Sequence, residues 1–419
     1  MAQDTKQRHG SETLFNARRW GIAAAGFLMQ MALGAVYAWS VFKTPLSKQF
    51  HWSSAEVTLT FTICVFVLGL SAFLGGLWLL KTTPRTVALT GGFLYGLGVF
   101  LASFSANVGS AGLWWLYLTY GLIGGVGLGF GYIVPISVLV KWFPDRRGLI
   151  TGIAVGGFGA GALVTAPLAT RLMQAVGVMH TFAYLGVGYL VVTMATGFFM
   201  QNPPADWKPA GWAPSALQTA QRAVKDYTLG EALKTWQWWA FWFLLFLNTS
   251  AGISLISQES PIFQELTKAT AIVAAGMVGV ASIGNAAGRV FWASISDVLT
   301  RKWTFAVMFI VQMTMFWLLP ESSSVAAVTA VSFVILMCYG GGFGTLPAFT
   351  ADYFGTKNVG QIYGLMMTAW GCASAFGPLL IANLRQSTGS YASGLHIIAG
   401  IMGASVILPI LVSPPKARS

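Results

Sequence analysis

The chain has 419 residues, 55% hydrophobic and only 9% charged, with a formal net charge of +12. A soluble domain carries about 25% charged residues, so this composition excludes a soluble globular protein and points to a polytopic helical membrane protein. No polar stretch is long enough for a separate globular domain; the longest runs from Gln201 to about Thr235.

In chain order, the N-terminal MAQDTKQRHGSETLFNARRW is polar and lacks the short apolar core and cleavage site of a signal peptide, so it reads as a cytosolic tail. Apolar windows then predict twelve spanning helices, near 20–42, 57–80, 86–106, 112–140, 148–173, 180–200, 236–258, 271–294, 303–320, 325–350, 360–384 and 392–412. The expected fold is an all-α membrane protein of two six-helix bundles, residues 1–200 and 236–419, joined by a basic cytoplasmic linker over 201–235. That linker opens on helix-breaking prolines and closes on an expected amphipathic helix, Thr228 to Trp236, lying along the membrane surface.

The basic residues track topology. Of the 24 lysines and arginines, eighteen fall in the tail, linker and loops on one side. Only Lys43, Lys48, Arg171, Lys268 and Arg385 fall on the other, and Arg289 lies within a span. This positive-inside pattern places both termini in the cytoplasm, so the basicity reports orientation and implies no nucleic-acid partner. Cys64, Cys338 and Cys372 lie in separate apolar segments, with no spacing that suggests a metal site or a disulfide framework. No cofactor is expected.

Tandem six-helix halves are a common transporter plan, with the substrate held near the midplane between them. Weak internal echoes support a duplication. KWFPDRRGLITG (Lys141 to Gly152) is answered by DYFGTKNVGQIYG (Asp352 to Gly364), and GGLWLLKTTPRT (Gly75 to Thr86) by WASISDVLTRKW (Trp292 to Trp303). Glycine concentrates in the fourth span (121, 124, 125, 127, 129 and 131), in GIAVGGFGAGA (Gly152 to Ala162) and in YGGGFG (Tyr339 to Gly344). Small residues let helices approach closely in lipid. They serve either as static packing surfaces or as seams that rock during alternating access.

Arg289 is the one charge in SIGNAAGRVFWASIS (Ser282 to Ser296). A cation at membrane depth costs about 2.5–3.5 kcal/mol even on lenient insertion scales, so it marks a functional site by default. At about 3.6 residues per turn, Ser282, Asn285, Ala286, Arg289, Ala293 and Ser296 share one small, polar face. A guanidinium suits a carboxylate because its planar fork binds it bidentately and stays charged.

Three stretches resemble the major facilitator superfamily, and within it the oxalate:formate antiporter and monocarboxylate transporter branch. They are ALGAVYAWSVFKTPL (Ala32 to Leu46), GYIVPISVLVKWFPDRRG (Gly131 to Gly148) with the branch's WFP-acid-base-base-Gly signature, and GRVFWASISD (Gly288 to Asp297). The resemblance implies that Arg289 takes the substrate carboxylate, with Asn285 beside it. Tyr37, Tyr132, Tyr339, Phe343 and Trp370 would complete the cavity, and Gln30 is a weaker addition on the Tyr37 face. It also implies charged clamps at the cytoplasmic loops: Asp145 with Arg146, and Asp297 with Arg301. The first-half loop motif is degraded, since Leu80 stands where its aspartate belongs.

Two departures sharpen the substrate. Trp370 occupies the place where oxalate-carrying relatives have a lysine, leaving Arg289 as the expected single intramembrane cation, so one carboxylate is favoured over two. Asn285 replaces the aspartate that animal-type relatives carry one turn before the arginine. Glu259 and Glu265 are placed at the outer end of the seventh span, so no carboxylate is expected at midspan. An inside-negative potential opposes anion entry by about 2.3 kcal/mol per 100 mV, so uptake needs a proton or an exchanged anion. The expected function is alternating-access carriage of small monocarboxylates (lactate, pyruvate or formate) by a monomer in the cytoplasmic membrane, with proton symport favoured. The rivals are an oxalate:formate-type exchanger, an anion channel and a non-transporting sensor. No His/Asp/Glu cluster or metal-ligand spacing suggests an enzyme.

Overall fold

A computed structural model describes residues 2–143, 147–204, 209, 226–355, 358–413 and 415. Every regular element among them is helical. Ten stretches of these residues are long and apolar enough to cross a membrane. They differ from twelve because 152–197 forms one stretch and the ninth expected span, the helix Arg301–Leu318, falls outside the set. The long stretch nevertheless makes two passes. Gly157 packs on Phe27 and Gly161 on Gly34, running parallel to the first helix, whereas Gly186 packs on Phe100 and Gly197 on Leu89, antiparallel to the third. The reversal falls at Gly177, whose φ of +79° breaks the helix. Traced by direction, the described residues make twelve passes. We call the end carrying Arg18, Gln201 and Trp236 the near end, and that carrying His51, Lys268 and Gly389 the far end.

The helix ends follow ordinary capping chemistry. Ser53 and Glu56 form a capping box ahead of Ser54–Trp78, and Thr83 caps Pro84–Ala102, with proline at the first helical position. Thr235 and Thr270 cap the seventh and eighth passes, Trp236–Thr267 and Ala271–Leu299. Gly389 closes the eleventh pass in the left-handed region at φ +76°. The expected surface helix from Thr228 to Trp236 is shorter than supposed: a capped turn, Leu229–Leu233, followed at once by the seventh pass.

Two boundaries change the reading of charge. The first pass does not end near residue 42; a 3₁₀ segment, Gly34–Trp39, continues into Ser40–Phe50, and Lys43 inside it is only 4% exposed. The seventh pass runs past residue 258 to Thr267, which places Glu259 inside a helix buried all round over residues 248–260. Arg289 is therefore not the single buried cation. Nor is Glu259 a surface carboxylate at a helix end.

The fourth pass uses its glycines as packing surface. Gly125 and Gly129 lie on the second pass at Cys64 and Leu68, while Gly127 lies on the third at Tyr95. A tighter seam joins the eighth and tenth passes, where a Cβ on Gly284 or Gly288 would strike the carbonyls of Phe333 or Met337. Reciprocally, a Cβ on Gly340 or Gly344 would strike the carbonyls of Asn285 or Arg289. Backbones this close gain dispersion contacts that larger residues would forbid. The seam presses Arg289 against the tenth pass.

Candidate functional site

Arg289 lies about two-thirds of the way along the eighth pass, Ala271–Leu299, and is 1% exposed. Its Nε donates to Asn285 Oδ1 at 3.4 Å, the residue one turn earlier, as the expected shared face requires. The guanidinium lies over the ring of Phe343, 5.0 Å from its centroid, a cation–π contact in a desolvated setting. Nη1 and Nη2 have no hydrogen-bond partner of normal geometry among the described residues. The hydroxyls of Tyr37 and Tyr132 make only weaker polar contacts with the guanidinium, so its two outer nitrogens keep capacity for a carboxylate.

The aromatics expected around it do meet. Tyr37 packs edge-on to Phe158 at 5.2 Å between centroids, and Phe158 to Tyr132 at 5.2 Å. Tyr132 meets Trp370 at 5.6 Å, Trp370 meets Phe343 at 5.0 Å, and Phe343 meets Tyr339 at 5.3 Å. The circuit closes between Tyr339 and Tyr37, whose hydroxyls share a hydrogen bond of 2.8 Å across 302 residues of sequence. Three members come from the first, fourth and fifth passes and three from the tenth and eleventh. The guanidinium also acts electrostatically on the hydroxyls of Tyr37, Tyr132 and Tyr339. The result is one cation with an under-satisfied fork, ringed by hydroxyls and apolar ring edges.

Local structure explains the placement. Tyr37 sits in the 3₁₀ segment, where tighter winding turns its side chain relative to an α-helix and marks a locally irregular site. Gln30, two turns earlier, donates Nε2 to the Tyr132 carbonyl at 2.9 Å; it fixes the first pass to the fourth and does not reach Arg289. Phe158 is a site residue that sequence reasoning missed. It is fully buried, flanked by glycines 157 and 159, and its carbonyl lies against Gly34. The glycine run, read from sequence as either static packing or a rocking seam, is what brings this ring to Tyr37. Tyr363, electrostatically within reach of Arg289, was also missed.

The remaining residues lie elsewhere. Arg301 donates Nε to Asp352 Oδ2 at 3.1 Å and also bonds the Ser296 hydroxyl, tying the start of the ninth pass to the end of the tenth. The side chain of Asp297 and all of Asp145 and Arg146 lie outside the described residues. At the far end, a cavity of about 460 Å³ is lined by Lys43, Lys48, Glu265, Arg385 and Tyr391 among others. Arg385 Nε pairs with Glu265 Oε2 at 2.8 Å. Lys43 Nζ donates to the Tyr391 hydroxyl at 3.3 Å, which donates to Gln258 Oε1 at 3.2 Å, and Gln258 Nε2 donates to Thr58 Oγ1 at 2.9 Å. This chain of bonds joins the first and second passes to the seventh and twelfth.

Comparison with known proteins finds relatives among transporters. The chain is 27% identical over 423 residues to the oxalate:formate antiporter of Oxalobacter formigenes, covering 97% of this chain and 96% of that one. It is 28% identical to the uncharacterized MFS-type transporter YhjX of Escherichia coli (strain K12), over 86% of this chain and 87% of the relative. It is 25% identical to monocarboxylate transporter 13 of Rattus norvegicus, over 93% and 89%. These relatives are transporters, and each is similar along most of its length. The profile of the Major Facilitator Superfamily matches residues 22–378 and, again, 269–418. With a helical bundle of that length and a match over most of it, the chain is a multi-pass membrane protein that belongs to the Major Facilitator Superfamily.

Proposed function

We propose that this chain carries small monocarboxylates of the lactate, pyruvate or formate type by alternating access, with Arg289 as the carboxylate anchor. The observation that carries this reading is the guanidinium's under-satisfied fork, buried and without a well-formed hydrogen bond at Nη1 or Nη2 among the described residues. A buried charge without a counter-ion is costly, and a carboxylate seated on Nη1 and Nη2 would supply charge and two acceptors at once. The hydroxyls of Tyr37, Tyr132 and Tyr339 suit a second carboxylate contact or a 2-hydroxyl, and the ring edges of Phe343 and Trp370 suit a methyl-sized tail. Lys43 and Arg19 are the other buried cations described, but Lys43 lies six residues beyond Tyr37 and bonds Tyr391, and Arg19 lies over the ring of Phe143 at the near end, so neither adds a charge at the aromatic circuit. One cation at the site favours one carboxylate.

The first six and last six passes would form two bundles that rock about this centre, so the Tyr37–Tyr339 bond across them would break and re-form in each cycle. Asn285 would hold the guanidinium in place through Nε while its fork changes partners. The clustering of basic residues at the near end supports a cytoplasmic near end in a cytoplasmic membrane, and proton symport would let a monoanion enter against an inside-negative potential.

The similarity to an oxalate:formate antiporter along almost the whole chain supports a second reading, anion exchange. Uptake of labelled lactate, formate and oxalate into proteoliposomes, in parallel, separates them. Accumulation of lactate or formate driven by an acid exterior supports the monocarboxylate symport. Oxalate counterflow as fast as lactate counterflow, with no gradient-driven accumulation, establishes the exchanger instead.

A further inference from the structure

Glu259 is 1% exposed, and its Oε1 has no hydrogen-bond partner among the described residues. Such a carboxyl is stable as an anion only beside a cation or a cluster of donors. Its position relative to the ring follows from Gly252, seven residues earlier and so on the same helix face. The ring of Tyr339 fills the space a Cβ on Gly252 would take, whereas Ser250 and Ser254 turn to Gly377 on the eleventh pass. The face shared by Gly252 and Glu259 is thus turned to the tenth pass and the Tyr37–Tyr339 contact. Glu259 lies about 10 Å farther toward the far end, two helical turns on.

We propose that Glu259 is the proton-binding side chain that couples carriage to a pH gradient; this rests on the transport reading above. The far-end cavity brings water close, because Pro261, two residues on, and Gln264 line it. Of the charged and titratable groups on the elements packed here, Lys48 lines the cavity, Lys43, Arg385 and Tyr37 are engaged elsewhere, and Arg289 is held through Nε alone. Lys43 of the first pass bonds Tyr391, and Tyr391 bonds Gln258. Arg385 of the eleventh pairs with Glu265, and Tyr37 bonds Tyr339. Arg289 of the eighth bonds Asn285. Each would leave Glu259 to exchange its proton with water.

Charge counting then couples the two ligands. With Glu259 ionised and no substrate, its negative charge balances Arg289. With a proton on Glu259 and a carboxylate on Arg289, the sum is again zero. The mixed states, substrate without proton or proton without substrate, leave an uncompensated charge inside the bundle and reorient poorly. One proton therefore accompanies one monoanion, taken from water on one side and released to water on the other.

Glu259→Gln tests this with labelled lactate and an internal pH-sensitive dye in proteoliposomes. A permanently neutral side chain leaves Arg289 uncompensated unless substrate is bound, so the carrier should exchange but not transport net. We expect proton-driven accumulation to fall at least tenfold while lactate counterflow persists. Accumulation at one proton per lactate in Glu259→Gln overturns the proposal. If that variant aggregates, Glu259→Asp decides: accumulation with a displaced pH profile supports the assignment, and an undisplaced profile overturns it. Wild-type carrier that counterflows lactate but shows no proton-driven accumulation sinks the proton site and leaves the monocarboxylate reading standing. Wild-type carrier that counterflows neither lactate, pyruvate nor formate sinks both.

Discussion

Replacing Arg289 with glutamine keeps the size and polarity of the stem but removes the charge and the fork. In the occupied site the carboxylate would accept from Nη1 and Nη2, which otherwise have only weak polar contacts with Tyr37 and Tyr132. Charge-assisted hydrogen bonds contribute about 1.5–3 kcal/mol each, and leaving one partner of a buried pair unpaired costs about 3–5 kcal/mol. At 1.4 kcal/mol per tenfold, lactate affinity should fall between about a hundredfold and a few thousandfold. Arg289→Lys keeps the charge but offers one point of contact in place of a planar fork. It should lose about one hydrogen bond, roughly 10- to 100-fold by the same conversion. The empty carrier should be weakened little, because the substitution removes a buried charge and loses only the long Asn285 bond and the Phe343 contact. The assay is equilibrium binding of labelled lactate to purified carrier, with thermal unfolding measured on the same preparations. Binding within threefold of wild type in Arg289→Gln would refute the anchor. Unfolding of the variant well below wild type, with binding lost, would make Arg289 a structural residue instead.

Three further outcomes follow from contacts already described. Gly288→Ala places a methyl against the Met337 carbonyl, and overpacking of this kind costs about 1–3 kcal/mol; the thermal midpoint of purified carrier should drop, and an unchanged midpoint would show that the seam yields freely. Trp370→Lys puts a second cation among Tyr132, Phe158 and Phe343, so oxalate counterflow should rise relative to formate; equal ratios in both proteins would contradict the charge count. Arg301→Gln removes a half-exposed pair with Asp352, which should alter stability by no more than about 1 kcal/mol while changing exchange rate if the pair is a clamp; an unchanged rate argues against that role.

The membrane class was legible in the sequence because transfer free energy adds up along the chain and does not depend on where the chain goes next. Arg289 was legible for the same reason, as a cost that apolar neighbours do not offset. Asn285 followed from helical period alone. Tyr37, Tyr132, Tyr339, Phe343 and Trp370 were reached through resemblance, since an aromatic in an apolar helix looks the same whether it faces lipid, a packed neighbour or a ligand.

Tertiary structure decided the rest. Which rings meet depends on contacts between helices up to 302 residues apart in sequence, and no local pattern encodes the Tyr37–Tyr339 bond. Phe158 joined the ring because Gly157 lets the fifth pass close on the first at Phe27 and Gly159 lets it close on the eighth at Ala286, a consequence of backbone approach that composition cannot assign to one partner. Lys43 and Glu259 were misjudged because hydropathy windows end a span where charge begins. The helices in fact continue, and neighbouring passes, not lipid, surround those side chains. Hydrophobicity is a sum over neighbours in sequence, whereas burial of a charge is a property of neighbours in space. That difference separates the twelve apolar runs from the carrier they build.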